Sequence, residues 1–217
     1  MRFIIEGLFI KISGITSEED ALFSIGLGAS AVGFEFGPTA RRVSPDDVHD
    51  ILRRLPQGAI SIGVFRGELP QRVVEVANRL GLSGVQIDGV VSADELGYIA
   101  ERVNTVLRSV PSTGLAEAPA GVDYLVLPEA DDHDSLVDSL GAFADERLRV
   151  PIIASGGLNE HNVVDVVQNY PVWGVDVRSG VEVAPGVKDP GRLGAFIANA
   201  RWAYENSHVA RRYEEWF

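Results

Sequence analysis

Apolar runs alternate with amphipathic stretches along the whole chain. The runs cover residues 8–13, 31–36, 59–65, 84–88, 105–109, 122–127, 150–154 and 172–177. Between them the apolar positions fall at helical spacing. Val48, Ile51, Leu52 and Leu55 follow Ser44, and Val73, Val74, Ala77 and Leu80 follow Pro70. Helix starts are marked as well. Thr16-Ser17-Glu18-Glu19 and Ser92-Ala93-Asp94-Glu95 fit capping boxes, and Ser44-Pro45 and Asp189-Pro190 put proline just inside a cap. Eight strand–helix units without a break predict a single (βα)8 TIM barrel of the α/β class. An open doubly wound sheet is the alternative, and the even spacing favours closure. The fifth unit is the least regular: residues 111–120 are rich in Pro, Gly and Ala and predict a loop or one helical turn. One domain, 1–217, is expected, with a short C-terminal extension at 207–217. Its Tyr213, Trp216 and Phe217 would end a frayed helix or dock on the barrel or on a partner subunit.

The chain has 217 residues, 46% hydrophobic and 23% charged, enough for one sizeable core. No apolar run reaches membrane-spanning length, and the acidic start does not fit a secretory signal, so a cytoplasmic protein with no membrane partner is expected. There is no cysteine, which excludes disulfides, thiolate metal sites and a thiol nucleophile. A formal charge of -12 repels polyphosphate backbones, so nucleic acid is not an expected partner. A single phosphate can still be held by local backbone N–H dipoles.

In a closed barrel the chemistry gathers at the C-terminal strand ends. Alternation puts Phe9, Lys11 and Ser13 on one face of the first strand, Gln86 and Asp88 on one face of the fourth, Asp123, Leu125 and Leu127 on one face of the sixth, and Gly174, Asp176 and Arg178 on one face of the eighth. Lys11 and Asp176 are therefore expected to meet inside, either as a structural ion pair or as ligand contacts. After the seventh and eighth strands come two small-residue turns, Ser155-Gly156-Gly157-Leu158 and Ser179-Gly180-Val181-Glu182. The first is expected to precede a helix capped at Asn159, and the second to open a short helix. Gly156, Gly157, Ser179 and Gly180 predict a two-turn phosphate cradle.

Seven motifs occur in one order: Lys11-Ile12-Ser13-Gly14-Ile15-Thr16, Gly33-Phe34-Glu35-Phe36, Val43-Ser44-Pro45, Gly63-Val64-Phe65, Val85-Gln86-Ile87-Asp88-Gly89, Ala154-Ser155-Gly156-Gly157-Leu158-Asn159 and Pro185-Gly186-Val187-Lys188-Asp189. In that order the chain resembles the phosphoribosylanthranilate isomerase family, from about residue 8 to residue 197. The resemblance implies a (βα)8 barrel, a phosphoribosyl-type ligand and an Amadori rearrangement in tryptophan synthesis, with no metal and no organic cofactor. It also implies departures. Ser13 stands where the family has its cysteine base, and Leu127 where it has its aspartate acid. Asp88 replaces a histidine, Glu35 an apolar residue and Arg178 a serine. A shifted register would bring Glu129 to the acid position. The arginine that clamps the anthranilate carboxylate would be Arg41 or Arg42. The family's glycine-rich loop is replaced by an acidic one, read as solvated rather than as a metal site of Asp131, Asp132 and His133.

A thiol titrates within reach of neutral pH, whereas an alkyl hydroxyl needs an adjacent base, and no histidine stands in the neighbouring motifs. The expectation is therefore an isomerase or lyase of altered chemistry acting on a phosphorylated small molecule, with Ser13, Asp88, Glu35 and Arg178 as catalytic candidates. Lys11, Arg41, Arg42 and Asp176 are the candidates for substrate binding. A non-catalytic binder of a phosphorylated metabolite, and the family's own reaction through Ser13, are the alternatives. A homodimer is compatible with all three.

Overall fold

The computed structural model describes residues 3, 5–110, 119–127, 133–144 and 150–208. Eight parallel strands close into a barrel in chain order: β1 (Phe9–Ile12), β2 (Ala31–Glu35), β3 (Ile60–Arg66), β4 (Gly84–Asp88), β5 (Val106–Ser109), β6 (Tyr124–Val126), β7 (Ile152–Ser155) and β8 (Gly174–Val177). Closure sets β1 beside β8 in the register Phe9↔Gly174 and Lys11↔Asp176. The expected closed barrel is found, and the alternative of an open doubly wound sheet is thereby excluded.

The two faces of each strand enter different cores. Outward residues such as Ile10, Phe34, Ile87, Val175 and Val177 pack under the helices, against Val48, Val73, Leu96, Val166 and Phe196. Each such side chain, fully buried, contributes about 1.5–3 kcal/mol. Inward residues Phe9, Ala31, Ile62, Leu107, Tyr124, Val126 and Ile153 fill the barrel toward the strands' N-terminal ends. Trp173 closes that end, its ring centroid 4.7 Å from Phe9 and 4.5 Å from Tyr124. This plug leaves the C-terminal end as the place where a ligand can enter.

The helices begin where side chains can accept the orphan N–H groups of the first turn. Ser44 and Ser92 form complete capping boxes with Asp47 and Glu95, opening α2 (Pro45–Leu52) and α4 (Ala93–Ala100). Ser17 caps α1 (Glu18–Gly26) through Asp20 N at 3.1 Å. The others are α3 (Pro70–Leu80), α5 (His133–Ala144), α6 (Val163–Asn169) and α7 (Pro190–Glu205), the last capped by Asp189. The helix expected at Asn159 starts later, at Val163. Asn159 and Asn162 instead hold a turn, Asn159 N donating to Asn162 Oδ1 at 2.8 Å.

After β8 comes one 3₁₀ turn, Ser179–Val181, and then a small antiparallel hairpin, β9 (Glu182–Ala184) with β10 (Val187–Lys188), turning at Gly186 with φ +81°. The hairpin is absent from the sequence reading, and it returns Lys188 to the top of the barrel. The irregular segment 111–118, the acidic loop 128–132 and the tail 209–217 lie outside the described residues, as does the His133 side chain. Among the described residues no helix is long and apolar enough to cross a membrane.

Candidate active site

Above the aromatic plug the inward positions turn polar. Lys11 is fully buried, and its ammonium donates to Ser13 Oγ at 2.6 Å, Gln86 Oε1 at 2.8 Å and Asp176 Oδ2 at 2.8 Å. All three of its protons are thus used, which is what makes a buried ammonium tolerable. Gly33 gives this group its room: a Cβ there would lie 2.9 Å from Ser13 Oγ and 3.2 Å from Lys11 Cε. Ser13 Oγ in turn donates to Asp176 Oδ1 at 2.7 Å.

The network crosses the barrel. Gln86 Nε2 donates to Asp88 Oδ1 at 3.0 Å and to Ser109 Oγ at 3.2 Å, Ser109 Oγ donates to the same carboxylate oxygen of Asp88, and Arg66 reaches Asp88 Oδ2 at 3.3 Å. Six polar side chains therefore run without a break from Asp176 to Asp88.

A cavity of about 530 Å³ opens over this floor. Ser13, Glu35, Asp88, Asp176 and Arg178 all line it. Glu35 points inward while Phe34 and Phe36 enter the outer core, and it pairs with Arg178 at 2.9 Å. Leu127 is fully buried at the edge of the cavity. On β6 the inward residues are Tyr124 and Val126, so the face shared by Leu125 and Leu127 turns toward the helices. Asp123 sits at the far end, accepting from Val106 N at 3.0 Å. Glu129, Asp131 and Asp132 lie outside the described residues.

Both small-residue turns reach the same cavity. Gly156 and Gly157 take φ +97° and +61°, which only glycine adopts freely, and they line it with Ser155, Leu158 and Ser179. Asn162 Nδ2 braces the first turn through Gly157 O at 2.8 Å. Gly180 sits where the turns touch. A Cβ there would stand 1.9 Å from Leu158 O.

The arginines divide differently from the sequence reading. Arg41 lies over Gly14 and closes a fork on Glu182, with Nε at 3.0 and 3.1 Å and the terminal nitrogen at 2.6 Å. Arg42 is exposed. Neither lines the cavity, whereas Arg66, Arg108 and Arg178 do.

Lys188 is one of the residues that sequence reasoning missed. It is buried, and its Nζ donates to Ser13 O at 2.6 Å, Glu182 Oε1 at 2.9 Å and Arg178 O at 3.2 Å. One ammonium thus ties the end of β1 to the turn after β8. Burial lowers its pKa against the opposing pull of Glu182. Burial pushes the Glu182 carboxyl up, but the hydrogen bonds from Arg41 and Lys188 together outweigh it and leave the group below the ordinary carboxylate range. The bond from Glu182 raises Arg41 above the usual guanidinium value. The signal available in the sequence was the Pro185-Gly186 turn, which predicts a chain reversal two residues before a lysine.

The comparisons agree with this geometry. The family model described as N-(5'phosphoribosyl)anthranilate (PRA) isomerase matches residues 10–199. The N-(5'-phosphoribosyl)anthranilate isomerase of Thermotoga maritima is 36% identical over 201 residues, covering 88% of this chain and 98% of its own. The crystal structure of the Thermotoga maritima phosphoribosyl anthranilate isomerase superposes with a TM-score of 0.76 at 33% identity, over 90% of this chain and 99% of that one. A phosphoribosyl anthranilate isomerase in complex with reduced 1-(o-carboxyphenylamino)-1-deoxyribulose 5-phosphate superposes with a TM-score of 0.71 at 32% identity, over 90% and 99%.

These relatives correct the expectation of altered isomerase or lyase chemistry, and with it the alternative of a non-catalytic binder. Proteins that match almost end to end carry the name of the ordinary isomerase. The physical fault in that expectation lies at Ser13. Its hydroxyl was read as lacking an adjacent base because no histidine stands nearby in sequence, yet the closure of β1 on β8 sets the Asp176 carboxylate against it. By sequence, fold and the arrangement of its strand ends, the chain belongs to the phosphoribosylanthranilate isomerase family.

Proposed function

We propose that this protein catalyses the family's Amadori rearrangement of N-(5′-phosphoribosyl)anthranilate in tryptophan synthesis, with Ser13 and Asp176 together acting as the base. The single observation that carries the reading is the Lys11–Ser13–Asp176 triangle at the family's base position. The reaction needs one proton delivered to the furanose ring oxygen as the ring opens, and one proton removed from C2′ of the resulting iminium to give the enolamine. Ser13 Oγ takes the C2′ proton while its own passes to Asp176 Oδ1. The Lys11 ammonium at 2.6 Å stabilises the negative charge that develops on the serine oxygen.

Leu127 has no proton to give, so the ring-opening proton comes from another group. Asp88 takes that role by first taking up a proton from solvent, since at rest it is a carboxylate that accepts from Gln86, Ser109 and Arg66. It is a carboxyl group on the cavity wall, joined to the Lys11 cluster through Gln86. The turns at Gly156–Gly157 and Ser179 receive the phosphate, and the Glu35–Arg178 pair borders the second of them. The test is conversion of N-(5′-phosphoribosyl)anthranilate by the purified chain, followed chromatographically. Turnover is expected, with Asp88→Asn lowering kcat by about 10²–10⁴-fold. Absence of turnover by the unsubstituted chain refutes the assignment.

A further inference from the structure

Two parts of the site stand far apart in sequence and meet on one buried side chain. Lys188 Nζ donates to Ser13 O at 2.6 Å and to Arg178 O at 3.2 Å, with Glu182 Oε1 as its third partner at 2.9 Å. Ser13 belongs to the proposed base, and Arg178 immediately precedes Ser179 of the phosphate turn. The three bonds use all three ammonium protons, so Lys188 has a fixed place and fixes both carbonyls.

What each carbonyl controls follows from the peptide planes. Ser13 is bracketed: its N donates to Val177 O at 2.9 Å and its C=O is held by Lys188, so the direction of its Oγ is set from two sides. Arg178 O belongs to the same planar peptide as the Ser179 N–H, and in a trans peptide the two point in opposite directions. A phosphate accepting from that N–H therefore acts on the peptide whose oxygen Lys188 holds. It also polarises that oxygen and strengthens its bond to the ammonium.

The hairpin that carries Lys188 is bonded in both directions. Val183 and Val187 are 61% and 50% exposed, so burial of its apolar side chains does little to hold it. Toward the phosphate turn, Asp189 N donates to Val181 O at 2.8 Å and Arg192 donates to Glu182 O at 3.0 Å. Toward β1 and α1, Thr16 Oγ1 donates to Gly186 O at 2.5 Å and Lys188 N donates to Asp20 Oδ2 at 3.2 Å. A displacement of the turn is thus passed on to the segment that follows Ser13.

We propose that Lys188 is a positioning residue that couples the substrate's phosphate to the base. Occupation of the turn after β8 sets the Ser13 carbonyl, and through it Oγ, where proton removal requires it. The phosphate then raises kcat as well as affinity, because binding energy remote from the reacting carbons is used to place the reacting groups.

The inference rests on the isomerase reading and its phosphate site, and the test separates them. Steady-state kinetics are measured for N-(5′-phosphoribosyl)anthranilate and for N-ribosylanthranilate, the same compound ending in a 5′-hydroxyl, with the unsubstituted chain and with Lys188→Met. The ratio of the two kcat values measures what the phosphate adds to the chemical step. It should fall at least about 10-fold in Lys188→Met, with the KM for the phosphorylated compound little changed. A ratio unchanged by the substitution, whether both compounds slow alike or neither slows, would make Lys188 structural and overturn the inference. A second measurement needs no substitution. Inorganic phosphate should slow amide hydrogen exchange in the unsubstituted chain at Ser13 and Ile15 as well as at residues 179–181. Slowing confined to the turns would also overturn the inference, and slowing at neither place would remove the phosphate site. Failure of the unsubstituted chain to turn over the phosphorylated compound would sink the isomerase reading itself.

Discussion

Ser13 Oγ lies 2.7 Å from Asp176 Oδ1 across 163 residues of sequence. The contact exists because β1 and β8 are the two strands whose pairing closes the barrel, in a register that puts Asp176 opposite Lys11. A hydroxyl that would be inert alone gains a proton acceptor on one side and an ammonium on the other.

Removing the hydroxyl should remove the chemistry and spare the binding. Ser13→Ala is expected to lower kcat by about 10²–10⁴-fold with little change in KM. Ser13→Cys, which restores a proton-bearing group at the same point, is expected to remain within about 10-fold of the unsubstituted chain. Steady-state kinetics on the three proteins checks both. A Ser13→Ala variant as fast as its parent would remove Ser13 from the mechanism.

Gly33 has no chemistry of its own, yet its substitution should cost activity. A methyl at Gly33 would stand 2.9 Å from Ser13 Oγ, so one of the two must move. Gly33→Ala is expected to lower kcat more than about 10-fold, since proton transfer depends steeply on placement. It should also lower stability by about 1–3 kcal/mol. Turnover and urea unfolding measured together separate the two effects.

The contact between the turns makes a different prediction. A Cβ at Gly180 would collide with Leu158 O at 1.9 Å, and backbone cannot step aside as a flexible side chain can. Gly180→Ala should therefore push the turns apart. Inorganic phosphate should raise the melting temperature of the unsubstituted chain and raise that of Gly180→Ala much less. Equal shifts in both proteins would separate Gly180 from phosphate binding.

The Arg41–Glu182–Lys188 cluster sets a pH dependence. The folded Glu182 carboxyl lies below its ordinary value of 4.5. The unfolded chain therefore binds the extra proton first as pH falls. The stability Glu182 contributes is complete above that value and is lost as pH drops through the folded one. Glu182→Ala should lower stability by about 3–5 kcal/mol at neutral pH, because Lys188 stays buried without its carboxylate, and should flatten this part of the acid dependence. Urea unfolding from pH 7 down to pH 3 measures it.

All eight strands could be read from the apolar runs, because each outward face packs under helices and must be apolar. The meeting of Lys11 and Asp176 could be read from alternation alone. The hairpin at 182–188 could not. Its strands are three and two residues long, and Val183 and Val187 are exposed, so no burial pattern marks them. Arg108 escaped notice for a related reason. Leu107 is the inward residue of β5, so alternation points Arg108 outward, and it lines the cavity from the strand end. The function was misjudged at Ser13, where a proton acceptor was sought along the chain, while the Asp176 carboxylate stands beside the hydroxyl on the last strand of the barrel.

The central claim is that the Asp176 carboxylate lets a serine do a cysteine's work. Its most direct measurement is kcat for N-(5′-phosphoribosyl)anthranilate with the unsubstituted chain and with Asp176→Asn, which keeps the side chain's shape and removes its capacity to take the proton. The account predicts measurable turnover in the first and a loss of about 10²–10⁴-fold in the second at similar KM. Equal turnover in the two proteins would contradict it.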